Sequence, residues 1–111
     1  MEFEVVKGLA ANILHVQAMP NLLQESTTFV LAHDRPENDM IVTIEVFDPS
    51  GRVMWNHSEL VVSSTNTYSY TWNHRSASGQ LLDEGVYLYR VIVSSPTGQS
   101  ASKAKKMVIT R

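Results

Sequence analysis

The chain is 111 residues long, with a formal net charge of −2, 43% hydrophobic residues and 18% charged residues. This composition excludes a disordered segment and fits one globular domain with its own core, and it offers no basic face for nucleic acid. The absence of cysteine excludes disulfide bonds, thiolate nucleophiles and thiolate zinc sites.

Residues 1–11 precede the first predicted strand. We interpret residues 1–11 as a linker or a vector-derived start, and residues 12–111 as the domain, so that the chain is expected to be a fragment of a longer protein. The start lacks the basic region and apolar stretch of a secretory signal. No apolar run reaches the roughly 20 residues needed to span a bilayer, so no transmembrane segment is expected.

The first half of the chain predicts three strands, because apolar residues alternate at period two and helical periodicity is absent. Asn12–Ala18 is the first and ends at Pro20, Thr27–His33 is the second, and Met40–Phe47 is the third. The third is the clearest strand, and its side chains expected to face the core are Met40, Val42, Ile44 and Val46. A turn follows at Asp48-Pro49-Ser50-Gly51, where Asp accepts backbone bonds, Pro presets φ and Gly takes the left-handed position.

The second half continues the same alternation. Its strand-like runs are Arg52–Asn56, Leu60–Ser63, Tyr68–Trp72, Val86–Ser94 and Lys103–Thr110. A long loop, Asn73–Glu84, ends at Gly85, and a hairpin turn is expected at Ser95-Pro96-Thr97-Gly98. Seven or eight strands in this length predict an all-β fold and favour a sandwich, with a barrel left open.

Catalytic and metal-binding candidates are weak. The four histidines, His15, His33, His57 and His74, fall in separate segments without metal-ligand spacing, and we expect solvent-facing positions for them. No G-x-S-x-G motif is present to activate a serine, so neither a catalytic residue nor a cofactor is predicted. Three carboxylates in the loop 33–39 could wrap a calcium ion, but Arg35 opposes this and a plain hairpin loop is favoured.

Aromatic residues at period two allow two interpretations. Tyr68, Tyr70, Trp72, Tyr87 and Tyr89 could form a platform for a carbohydrate or lipopolysaccharide, which is the alternative function for a β-sandwich of this kind. Aromatic residues at this spacing more often fill the core or pair across strands. Packing is therefore the favoured interpretation.

The last strand carries Lys103, Lys105 and Lys106 beside Met107-Val108-Ile109. Lysines of this kind protect the edge of a sheet from pairing with other chains. The alternative is an exposed terminal strand offered to a receptor. Exposed strand edges would also permit a dimer.

Four motifs in order carry a resemblance to a known family. They are Ala18-Met19-Pro20-Asn21, Val46-Phe47-Asp48-Pro49-Ser50-Gly51-Arg52, Gly85-Val86-Tyr87-Leu88-Tyr89-Arg90-Val91 and Lys106-Met107-Val108-Ile109-Thr110-Arg111. This pattern resembles the C-terminal domain that directs cargo through the type IX secretion system of some Gram-negative bacteria. The resemblance implies an immunoglobulin-like antiparallel β-sandwich of about seven strands, with Pro20, Asn21, Gly51, Gly85 and Tyr87 as family-motif residues.

Two stretches are most similar to the gingipain-like sortase of that system. They are Ser26–Pro36 and Trp72-Asn73-His74-Arg75 with Gly79. The chain departs from that pattern at Leu22, where the sortase has proline, and at His74, where it has glycine.

The resemblance implies a domain without catalysis of its own. The catalytic cysteine and histidine of such a sortase lie in an upstream domain of the same polypeptide. The domain itself would bind a translocon protein or an outer-membrane shuttle protein, and so place its parent on the cell-surface face of the outer membrane. Typical cargo loses this domain, whereas the sortase is expected to retain it.

The last hairpin is the predicted contact surface. An edge strand offers main-chain groups for affinity and alternate side chains for specificity, and basic residues can meet acidic groups of a partner. The candidate partner-binding residues are Lys105, Lys106, Met107, Val108, Ile109 and Arg111.

Overall fold

The computed structural model describes residues 13–21, 25–33, 39–62, 66–95 and 100–110. These residues form seven strands: β1 (Ile13–Asn21), β2 (Ser26–His33), β3 (Asp39–Phe47), β4 (Val53–Val62), β5 (Thr67–Trp72), β6 (Gly85–Ser94) and β7 (Ser100–Ile109). One antiparallel sheet has the order β1-β2-β5 and the other has the order β4-β3-β6-β7. No helix in these ranges is long and apolar enough to cross a membrane. The predicted all-β sandwich is confirmed.

The core lies between the two sheets. The four β3 side chains predicted to face inward are at most 1% exposed, since successive side chains of a strand point to opposite faces. Rings from both sheets meet at the centre, where Phe29 of β2 lies 5.2 Å from Tyr89 of β6 and 6.1 Å from Trp72 of β5, measured between ring centroids. Trp55 of β4 stacks on Trp72 at 5.0 Å. Aromatic contacts therefore join the two sheets directly.

The first strand does not end at Pro20 as predicted. Pro20 pairs with Thr27, and β1 continues to Asn21. The carbonyl of Val16 faces the open edge of the sheet, because it accepts a bond from Lys105 of the opposite sheet. Main-chain groups point to the same side at every second residue, so the nitrogen of Pro20 also faces that edge and no ladder bond is lost.

The two predicted strands Arg52–Asn56 and Leu60–Ser63 are one strand, β4. The polar residues between them suggested a break, but they continue the alternation of the strand, with Ser58 on the outer face and the partly buried His57 and Glu59 on the inner face. Ser58 is opposite Thr43, and their hydroxyl oxygens are 2.7 Å apart. A solvent-facing polar pair continues a ladder as well as an apolar pair does, so the prediction was wrong at this point.

The turn between β3 and β4 forms as predicted. The Oδ1 atom of Asp48 accepts bonds from the Ser50 amide, the Ser50 hydroxyl and the Arg52 amide at 2.7–3.0 Å. Gly51 takes a φ of 92°, which residues with a β-carbon rarely adopt. The predicted turn at Ser95–Gly98 and the candidate calcium loop fall mainly on residues 96–99 and 34–38, which lie outside the described residues, as do Arg111 and residues 1–12.

Two histidines are buried, although we expected solvent-facing positions. His33 ends β2 with no exposed surface, and His74 in the loop after β5 is 2% exposed. His74 adopts a φ of 64°, which is the left-handed region. Its Nε2 atom is 2.7 Å from the Thr27 hydroxyl, and its ring meets the edge of Trp72 at 5.2 Å. The backbone of His74 is thus one that glycine adopts readily, while its imidazole fills a buried site.

We predict that the turn carboxylate stabilises the fold less as the solution becomes acidic. Hydrogen bonds from the Ser50 hydroxyl and the Arg52 amide lower the pKa of Asp48 from 3.8 to about 2. A carboxylate with a lowered folded-state pKa stabilises above the unfolded pKa, and that contribution is lost as pH falls through the folded pKa. The difference in unfolding free energy between the wild type and Asp48→Asn should therefore shrink between pH 3.8 and about pH 2. Urea titrations across this range measure it, and a constant difference would contradict the assignment.

We predict a fixed order of stability at residue 74. His74→Ala loses the Thr27 bond and the ring contact but keeps a β-carbon in the left-handed region, and should cost about 2–3 kcal/mol. His74→Gly loses the same contacts but relaxes the backbone, so it should be about 1 kcal/mol more stable than His74→Ala. Urea unfolding measures both. If the glycine variant is no more stable than the alanine variant, the backbone at this position carries no strain.

Candidate functional site

Two open strand edges lie side by side on one flank of the sandwich. Among the described residues, β7 pairs only with β6 and ends the four-stranded sheet, while β1 pairs only with β2 and ends the three-stranded sheet. Lys105 of β7 spans the gap between them, because its Nζ donates to the Val16 carbonyl of β1 at 2.8 Å. One lysine thus ties together the two sheets at their open edges.

Beside this bridge is an open cleft of about 310 Å³. β1 contributes Gln17, Ala18 and Pro20 to its walls, and β7 contributes the run from Lys105 to Val108. Tyr89 and Thr27 complete the lining. The cleft therefore combines apolar side chains with a strand that carries two lysines, which suits an extended segment that carries both apolar and acidic side chains.

The predicted partner-binding residues divide between two environments. Lys105, Lys106 and Val108 are exposed, whereas the side chains of Met107 and Ile109 are only 7% and 1% exposed. Strand alternation explains the difference, because Met107 and Ile109 point between the sheets while Lys106 and Val108 point outward. The side chains of Met107 and Ile109 are thus core residues, and only their main chain belongs to β7 as an edge strand.

The family-motif residues have mainly structural positions. Tyr87 is buried, and its hydroxyl donates to the Asp83 carbonyl at 2.9 Å, which ties the loop after β5 to β6 in the manner of a tyrosine corner. Gly51 closes the turn described above, and Gly85 begins β6 opposite Ile109. Pro20 is exposed and lines the cleft, and Asn21 ends β1.

Sequence reasoning missed the β1 side of the cleft. Gln17 was not singled out, and Ala18 was named only as a strand and motif residue, because nothing in a single strand shows which strand of the other sheet it will face. The one available signal was Pro20, since proline within a strand indicates an edge. Thr27 was also missed, although it lines the cleft and holds His74 behind it.

The aromatic residues do not form an exposed platform in the described part of the chain. Trp72, Tyr87 and Tyr89 are buried, and Tyr68 and Tyr70 are partly buried on the inner face of β5. Burial raises the pKa of the Tyr68 hydroxyl, and the nearby Glu59 carboxylate raises it further. The packing interpretation is confirmed. The carbohydrate alternative required these aromatic side chains to be exposed, and they are not.

No group of three or more His, Cys, Asp or Glu side chains suited to holding a metal ion occurs within the described ranges. His57 of β4 is partly exposed and bonds Glu59 at 2.6 Å, while His15 of β1 lies near Gln17 at 3.3 Å. These contacts are local to single strands. They do not assemble a catalytic pair with an activated serine or threonine.

The chain is similar to known proteins at the level of three-dimensional structure. No family model matches the chain, and no curated protein sequence matches it. The crystal structure of dimeric latent PorU from Porphyromonas gingivalis is similar, with a TM-score of 0.74 and 34% identity over 86% of this chain. The match covers 9% of PorU, so the chain spans only a small part of that protein's length.

Two further structures share the fold. FlgD from Xanthomonas campestris, a protein of flagellar hook capping, has a TM-score of 0.62 and 19% identity, over 95% of this chain and 75% of its own. A family 76 glycoside hydrolase from a Bacteroides thetaiotaomicron strain has a TM-score of 0.64 and 11% identity, over 89% of this chain and 20% of its own. Sequence and structure together make the chain a small β domain similar to one segment of PorU.

Proposed function

We propose that this chain is a non-catalytic C-terminal domain that directs or anchors its parent protein through the type IX secretion system to the outer-membrane surface. The parent would be a cysteine-peptidase-type sortase with its active site in an upstream domain. The observation that supports this most is the similarity to a segment of PorU, at 34% identity over 86% of the chain. The motif order from Ala18 to Arg111 agrees with it.

The flank formed by β1 and β7 is the proposed contact surface. A translocon or shuttle protein would place an extended segment along the cleft and take main-chain bonds from an open edge, which provides affinity with little dependence on sequence. Lys106 and Val108 would provide specificity, since both point outward beside the cleft. Acidic groups on the partner would speed the encounter and fix its orientation.

The fold suits a domain that partner proteins bind after export. Its core draws on both sheets and contains no disulfide, so its stability does not depend on an oxidising compartment. For the sortase parent we propose that the domain is retained, so that the same flank holds the enzyme at the cell surface after transport.

We predict that charge reversal at Lys106 weakens partner capture. In a pull-down of the folded domain against outer-membrane extract, Lys106→Glu should reduce capture of a translocon or shuttle protein by about tenfold, because an acidic partner group then meets a like charge. Lys103→Glu is the matched control, since it makes the same charge change on the same strand but outside the cleft. Equal melting temperatures would show that both variants fold.

The same two variants can be tested in the full parent protein. Surface protease accessibility in the native bacterium should fall for Lys106→Glu and stay at the wild-type level for Lys103→Glu. If both variants reached the cell surface at the wild-type level, the proposal that this flank is the contact surface would be wrong. The last strand should not be deleted for this purpose, because Met107 and Ile109 belong to the core.

A further inference from the structure

The inner wall of the cleft holds a buried hydroxyl whose hydrogen-bonding capacity is unused. Tyr89 of β6 lines the cleft and is only 1% exposed, and its hydroxyl makes no hydrogen bond within the described ranges. The hydroxyl oxygen is not sealed in the core, so the accessible part of this side chain opens to the cleft. Because buried polar groups nearly always have a partner, a hydroxyl of this kind indicates a group that a bound molecule satisfies.

Lys105 of β7 is the neighbouring polar group. It lies directly opposite Tyr89 in the antiparallel ladder, so the two side chains share the inner face of the sheet. An ammonium has three N–H donors, and the Val16 carbonyl accepts a bond from one of those of Lys105. Among the residues that the structure describes, no carboxylate forms an ion pair with Lys105. The wall thus places a hydroxyl beside a cation that has no counter-ion within the same ranges.

The contact between Lys105 and Val16 also closes one end of the cleft. On β1 the lining begins at Gln17, directly after Val16, and on β7 it begins at Lys105 itself. From this bridge the cleft extends toward Pro20 and Val108. A chain that enters from the open end in an extended form therefore meets the ammonium bridge and cannot continue between the sheets beyond it.

We propose that Tyr89 and Lys105 bind the C-terminal carboxylate of an extended partner segment, which ends at the bridge. A carboxylate has two oxygens that accept hydrogen bonds, so it satisfies the hydroxyl and the ammonium together, and bonds to charged groups are the stronger kind. Capture of a chain end is a recurring mode of peptide recognition. The identification of the partner as a transport protein rests on the proposed function, and the new element is the chemical group that the partner must bring.

The tyrosine is held in position before the segment binds. Its ring lies 5.2 Å from that of Phe29, measured between centroids, and its backbone pairs with Val46 of β3 on one side and with Lys105 on the other. Burial raises the pKa of the Tyr89 hydroxyl, so this group remains a protonated donor at neutral pH. A donor that needs no ordering on binding costs little entropy, which favours ligands that supply the acceptor.

The first test compares two tyrosine variants of the chain, with propionate as the carboxylate probe. NMR titration should show saturable shifts at the methyl groups of Ala18 and Val108, and propionamide should not produce them. Tyr89→Phe should raise the dissociation constant about tenfold without lowering the urea midpoint, because the lost hydroxyl has no partner within the described ranges. Tyr87→Phe is the matched control, since it breaks the 2.9 Å bond to Asp83 and should lower the urea midpoint but leave propionate binding unchanged.

Lys105→Met tests the cation in the same titration. This variant keeps a long side chain but removes the charge, and it should also weaken propionate binding about tenfold. Lys103→Met is its control, because Lys103 lies on the same face of the same strand two residues earlier and does not line the cleft. The absence of saturable shifts in the wild type, or unchanged binding in Tyr89→Phe, would overturn the inference, and so would equal losses in the two lysine variants.

The second test separates a chain end from an acidic side chain. The probes are an acetylated pentapeptide of alternating valine and threonine with a free C-terminus, the same peptide with a C-terminal amide, and the amide with glutamate at its centre. The free acid should bind at least about tenfold more tightly than the simple amide, and this difference should disappear in Tyr89→Phe. Binding of the amidated glutamate peptide as tightly as the free acid would assign the pair to side-chain carboxylates and refute the chain end.

These results can be distinguished from failure of the proposed function. Both titrations use the chain by itself, so a negative result would leave delivery of the parent to be decided by the pull-down and the surface assay. A domain that binds the carboxylate but does not deliver its parent would refute the proposed function and leave this site intact.

Discussion

The packing of aromatic rings between the two sheets is the interaction on which the rest of this structure depends. Phe29 lies between Tyr89 and Trp72, and Trp55 stacks on Trp72 from the other sheet. Without a disulfide, these contacts and the inward rows of β3 and β6 hold the sheets together. Aromatic pairs contribute both buried area and preferred geometry, so they fix how the sheets face each other. That arrangement decides which strand edges become neighbours.

Placing the core in this way leaves two flanks with different chemistry. On one flank, β1 and β7 enclose a cleft with lysines, and Lys105 bridges the sheets. On the other flank, β4 contains no lysine, arginine or proline and runs beside the inner aromatic residues of β5. A lysine-rich edge discourages random pairing but can still accept a partner of opposite charge. The two flanks therefore differ in the charged groups that they expose.

Much of the fold could be predicted from local patterns, and the errors have identifiable causes. β3 was clear because Met40, Val42, Ile44 and Val46 alternate with outward residues, and the turn at Asp48 follows from its own side chain. β4 was divided in the prediction because the pairing of Ser58 with Thr43 is a non-local contact. The burial of His33 and His74 was missed for the same reason, since the hydroxyl that holds His74 lies 47 residues away. The candidate site was predicted in part, on β7, because alternation alone cannot show that β1 forms the opposite wall.

The central claim is that this β domain is recognised from outside and delivers a parent whose chemistry lies elsewhere. The most direct measurement fuses the chain to the C-terminus of a passenger protein in a bacterium with a type IX secretion system, and compares surface exposure with that in a strain whose translocon is inactivated. Our account predicts that the passenger reaches the cell surface only in the secretion-competent strain. Retention of the passenger inside the outer membrane in both strains, with the domain folded, would contradict it.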